Sequence, residues 1–84
     1  MRSYYITFRS VTFAQRGERV LEENRIRCAL LRTPRWMEEQ GCGYALKVWT
    51  KDIDPVVALL KENRVQLRRL YVQREGGLLE EITL

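Results

Sequence analysis

The residues best placed to do chemistry are Gly41-Cys42-Gly43, set directly before the strand-like run YALKVW at 44–49. Glycine tolerates left-handed backbone and lets another molecule come close. A cysteine between two glycines is therefore a thiol on display. Upstream, Thr33-Pro34-Arg35-Trp36 brings proline-stiffened backbone, a guanidinium and an indole to the same loop. Thiolate is the reactive form of cysteine. Arg35 within reach of Cys42 would favour it, and N–H groups contributed by Gly41 and Gly43 could form an anion nest around the sulfur. A plainer reading stands beside this one: Cys42 as a small residue in a tight turn, since free cysteine often behaves as a small hydrophobe. Trp36 has two readings as well, a partner-contacting residue beside Arg35 or a ring folded back to close the edge of the core.

What is missing narrows the chemistry. The chain has no histidine, which excludes Ser-His-Asp and Cys-His nucleophile pairs within one chain. Cys28 and Cys42 are too few for a disulfide framework or a structural zinc site. Cys28 sits in an apolar run and reads as core filling, and a Cys28–Cys42 disulfide is not expected in a reducing compartment. Proton transfer would fall to carboxylates, lysine or tyrosine, and no carboxylate pair sits in an apolar setting. The expectation is a protein without metal or cofactor, a carrier or binding protein and not an enzyme.

Eighty-four residues suit one domain, 1–84, and 45% apolar with 31% charged residues is an ordinary globular composition. No apolar run reaches membrane-spanning length, and Met1-Arg2 leads straight into a strand pattern with no secretory segment. A cytoplasmic location is expected, with no membrane partner. The formal net charge is +4, and twelve of the fifteen cations are arginine. Arginine suits bidentate binding of carboxylate or phosphate. A solvated surface and an anionic partner both fit so mild a bias.

The elements that must position these residues follow from periodicity. Residues 3–9 alternate, with Tyr4, Ile6 and Phe8 on one face and Tyr5, Thr7 and Arg9 on the other, as in a half-buried strand. Ser10 or Thr12 then caps a helix, Thr12 with Gln15 reading as a capping box. Phe13, Gly17, Val20, Leu21 and Asn24 share one side of that helix. Gly17 marks close packing of helix on sheet, and Asn24 is a candidate for the left-handed residue that ends it. Residues 26–31 form a second strand. The loop 32–43 follows, with Glu38-Glu39-Gln40 as a short helical turn. Residues 44–50 form a third strand. Asp54 caps a second helix with Pro55 at its first position. Residues 67–74 contain a fourth strand, ended by Gly76-Gly77. The tail 78–84 either adds a short strand or packs against a partner.

An internal echo supports this order. Leu21-Glu22-Glu23-Asn24-Arg25-Ile26 returns 39 residues later as Leu60-Lys61-Glu62-Asn63-Arg64-Val65. Two copies of a strand–helix–strand unit suit an α+β, ferredoxin-like split βαβ fold: β-α-β-β-α-β, a four-stranded antiparallel sheet with two helices on one face. The open face would show Tyr5, Thr7, Arg9, Lys47, Trp49 and Tyr71. Tyr5, Arg9, Lys47 and Trp49, with Trp36, are the candidate partner-binding residues. A one-residue slip would invert the faces. Aromatics and cations on central strands are also a feature of RNA-recognition motifs. That pattern breaks here, with Cys42 where a cation belongs, Leu46 where an aromatic belongs and Lys47 where an apolar residue belongs. Nucleic acid is thus disfavoured, and homodimerisation through the open face is the expected assembly.

From Tyr4 to about Glu75, the chain resembles a family of small bacterial proteins described as selenium/sulfur carrier-like. The resemblance rests on Tyr5-Ile6-Thr7-Phe8-Arg9-Ser10, on Thr33-Pro34-Arg35 and on Cys42-Gly43-Tyr44-Ala45-Leu46. It implies that Cys42 holds transferable sulfur or selenium as a persulfide or perselenide, with Arg35 stabilising the anion. It also implies a donor protein and an acceptor protein as partners.

Overall fold

The alternation at the N-terminus produces strand β1 (Arg2–Thr7). Tyr4 and Ile6 point to one side and are buried, and Phe8, just past the strand, is fully buried with them. The computed structural model describes residues 1–33 and 43–83. Helix α1 (Val11–Glu23), strands β2 (Cys28–Arg32) and β3 (Tyr44–Thr50), helix α2 (Asp54–Glu62), strand β4 (Arg69–Gln73), a 3₁₀ turn (Glu75–Gly77) and strand β5 (Leu79–Ile82) follow in order. They make an α+β fold with one five-stranded sheet, order β2-β3-β1-β4-β5, every neighbouring pair antiparallel. The fifth strand corrects the four-stranded expectation. Gly76 and Gly77, both at positive φ, do not end the sheet: they turn the chain so that β5 pairs back along β4. The tail takes the first of the two roles expected of it. No helix of the described residues is long and apolar enough to cross a membrane.

Both helices pack on the same side of the sheet. Tyr4, Ile6, Phe8, Leu46, Val48, Leu70 and Val72 from the strands join Ala14 and Leu21 of α1 and Val56 and Leu60 of α2 in one buried cluster, with Tyr44 partly buried against it. The face assignment read from the alternation therefore holds. Gly17 is the point of closest approach. A Cβ there would lie 3.2 Å from both Phe8 Cζ and Leu46 Cδ1.

Helix ends correct the sequence reading in detail. Ser10 caps α1, its hydroxyl accepting from the Phe13 N–H at 3.2 Å, so Thr12 lies inside the helix and forms no capping box. At α2 the Asp54 side chain does not cap. Asp52 supplies the oxygen, accepting from the Asp54 N–H at 3.1 Å. Pro55 stands at the start of α2, where its missing N–H leaves no helical bond unmade. Ile26 is not part of β2 because its N–H is already committed to the carbonyl of Leu21, and β4 begins at Arg69, after the Arg68 N–H has bonded to the Thr7 carbonyl.

The sequence echo proves to be a duplicated helix stop. At the end of α1 the Arg25 N–H donates to Glu22 O and the Ile26 N–H to Leu21 O. At the end of α2 the Arg64 N–H donates to Lys61 O and the Val65 N–H to Leu60 O. This is the Schellman pattern, with an apolar residue after each stop beside the last core leucine of its helix. The left-handed residue is not Asn24, at φ −100°, but Arg25, at φ 59°, and its counterpart Arg64 is at φ 60°. Asn24 and Asn63 do a different job, their side-chain amides donating to Val20 O and Leu59 O. A left-handed conformation costs a non-glycine residue about 1–2 kcal/mol, partly offset by glycine's extra freedom when unfolded. Arg25→Gly and Arg64→Gly are each expected to stabilise the protein by about 0.5 kcal/mol, or about 2–4 °C in thermal midpoint. A lowered midpoint in both variants would contradict the left-handed assignment.

Candidate functional site: the stem of the β2–β3 hairpin and the helix-free face

Strands β2 and β3 run antiparallel from Arg32↔Tyr44 to Cys28↔Val48. Their connection is closed at its base by the Thr33 N–H donating to the Gly43 carbonyl at 2.9 Å. Gly43 has φ +84°, and among the described residues a Cβ at this position would meet nothing within 4 Å. The positive φ is what favours glycine here, since an L side chain at that backbone conformation is strained. Across the stem, the Arg32 guanidinium lies 5.5 Å from the centre of the Tyr44 ring. Cys42 is the covalent neighbour of Gly43. Cys42, Arg35, Trp36 and Gly41 lie outside the described residues, as do Pro34 and the Glu38-Glu39-Gln40 turn.

The second cysteine is described, and its surroundings silence it. Cys28 opens β2, half-buried against the core. Its thiol faces the carbonyl of Glu18 at 4.0 Å. Burial, followed by the negative charges of Glu18 and Glu22, pushes its pKa up to about 11. Cys28 therefore stays a neutral thiol across the physiological range, and nucleophilic attack through it is suppressed.

The face away from the helices collects three of the candidate partner-binding residues. Tyr5 on β1 stands opposite Lys47 on β3. The Lys47 ammonium lies 5.5 Å from the centre of the Tyr5 ring and 5.1 Å from that of Trp49. Ser3 pairs with Trp49, and its small side chain leaves the indole room beside it. The sequence reading missed Arg27, whose guanidinium lies 4.9 Å from the centre of the same indole. Its signal was parity: Arg27 alternates with Cys28, which faces the core. Arg9 does not join this group. It follows the end of β1, exposed in the turn before α1. Thr7 and Tyr71 belong to the face by register but are buried. Thr7 Oγ1 accepts from the Arg69 N–H at 3.1 Å, tying β1 to β4. No group of three or more metal-binding side chains occurs among the described residues.

The class so defined is a two-helix, five-stranded antiparallel α+β protein in which a Cys-Gly step leads into β3. The chain belongs to the family described as "Putative Se/S carrier protein-like", whose model matches residues 3–72. The match runs from β1 into β4 and stops short of β5. No curated protein and no solved structure matches the chain.

Proposed function

We propose that the protein is a chalcogen carrier, with Cys42 as the sulfur- or selenium-bearing residue and no catalytic turnover of its own. Membership of the carrier-like family carries this reading. The neighbourhood supports it in two ways. Gly43 brings a left-handed backbone, which glycine adopts without strain, next to Cys42 in the sequence. The chain's other thiol, Cys28, is held protonated and partly covered. Arg35 is the residue proposed to favour the anionic form of the loaded sulfur. We read the first four strands and two helices as a ferredoxin-like unit extended by β5, a scaffold that offers the hairpin stem at one end of its sheet.

Loading is a sulfur transfer between thiolates. The Cys42 thiolate attacks the terminal sulfur of a donor protein's persulfide. The donor S–S bond breaks, a new S–S bond forms on Cys42, and the donor cysteine leaves as thiolate. No external oxidant enters, and the same balance holds when selenium is the terminal atom. Delivery to an acceptor thiolate is the reverse exchange.

The test is intact-mass measurement after incubation with a persulfide-bearing donor. A gain of about 32 Da for sulfur, or about 79 Da for selenium, is expected on the native chain and on Cys28→Ser, and none on Cys42→Ser. Alkylation at pH 7 is expected to modify Cys42 well before Cys28. Equal loading of Cys42→Ser and the native chain would overturn the assignment, as would a Cys42 that neither loads nor alkylates.

A further inference from the structure

The structure points to a second site, away from the hairpin stem and independent of Cys42. At the end of the sheet where β3 finishes, a groove of about 410 Å³ is bordered by Arg25 and Arg27 from the α1–β2 connection and by Trp49 and Lys51 from β3 and just beyond it. Among the described residues its border contains no carboxylate. Lys47 and Tyr5 continue the same surface onto the helix-free face. Among the described residues, Arg25, Arg27, Lys47 and Lys51 have no carboxylate within ion-pairing distance, whereas Arg69 and Arg74 pair with Glu81 and Glu80.

We propose that this groove and the adjoining Lys47–Tyr5 surface bind single-stranded nucleic acid. Charge complementarity selects an anion, since four cations lie on or beside this groove and, among the described residues, none is paired with a carboxylate. The aromatic residues narrow the class further. Arg27 and Lys47 are each held against the Trp49 indole, so their charged ends are already positioned and lose little side-chain freedom on binding phosphate. An alternation of cation and ring, Arg27–Trp49–Lys47–Tyr5, matches a strand that alternates phosphate with planar base. An acidic peptide would satisfy the cations but brings no planar partner for the rings. The site departs from the RNA-recognition-motif pattern because its key cation, Arg27, comes from the residue before β2 and not from the central strands.

Fluorescence anisotropy of a labelled twelve-nucleotide oligouridylate RNA with the full chain tests this. Neutralising phosphates with four cations gives a slope near −2.8 in log affinity against log salt, so affinity is expected to fall about 50-fold between 50 and 200 mM salt. Arg27→Gln should make that slope shallower by about 0.7. Trp49→Leu should weaken binding about tenfold, and Lys51→Gln, on an exposed residue, guards against misfolding as the cause. Arg16→Gln, on α1, should leave binding unchanged, and Cys42→Ser should bind like the native chain. The proposal is overturned by any of four results: no binding at 50 mM salt, competition by polyglutamate as strong as by RNA, an Arg16→Gln loss equal to that of Arg27→Gln, or a chain that dimerises through this face and excludes RNA.

Discussion

Phe8→Ala is expected to cost about 3–5 kcal/mol of folding free energy, read as a large fall in urea midpoint with an unchanged slope. Phe8 is the largest fully buried side chain among the described residues. Its ring tip lies under α1 at Gly17. Truncation leaves a void between sheet and helix that the rigid strands cannot close, so the loss includes a cavity contribution as well as lost transfer energy. Total stability of a small domain is about 5–15 kcal/mol, and this single change removes a large fraction of it. A loss below about 1 kcal/mol would contradict the placement of Phe8.

Gly17 is the other half of the same contact, and enlarging it should act from the opposite direction. Gly17→Leu is expected to destabilise the protein by about 3 kcal/mol, because the added atoms must displace Phe8, Leu46 or the whole helix. Gly17→Ala is more instructive. It gains about 1 kcal/mol of helix propensity, but its Cβ would press on two fully buried side chains at 3.2 Å. Those effects nearly cancel. Phe8→Leu removes one of the two obstacles, so the double variant Phe8→Leu/Gly17→Ala is expected to be more stable than the sum of the singles by about 1 kcal/mol. Strict additivity would show that helix and ring do not meet as described.

This contact shows what the sequence could convey. A glycine in mid-helix, on the same side as Phe13 and Leu21, announced close helix–sheet packing, and alternation in β1 and β3 assigned the buried faces correctly. Those signals are periodic, and burial enforces them along a whole element. The misses are local competitions between residues with similar abilities. Asn24 is the commoner left-handed residue, yet the carbonyl geometry of the Schellman stop places that conformation one step later, on arginine. Asp52 and Asp54 both have an oxygen to offer α2, and only the nearer backbone turn decides between them. Strand β5 is four residues with two glutamates, too short and too charged to stand out before its pairing with β4 is seen. At the candidate site, the positive φ of Gly43 and the raised pKa of Cys28 come from the structure, while the chemistry proposed for Cys42 and Arg35, which lie outside the described residues, is supported by family membership.

The pairing of β5 with β4 also has an electrical consequence. At that edge of the sheet, Arg69 and Arg74 are matched by Glu81 and Glu80. At the opposite edge, Arg27 and Arg32 flank Cys28 and close β2 with no matching carboxylate among the described residues. Five strands at about 4.8 Å spacing set the two edges about 19 Å apart, roughly twice the screening length at 0.1 M salt. An approaching molecule therefore senses one edge at a time: two ion pairs on the β5 side, and on the β2 side two arginines with Glu18 and Glu22 acting on Cys28 between them. A polyanion of the kind proposed above would feel the β2-side arginines only on close approach, and less strongly as salt shortens the reach of the field.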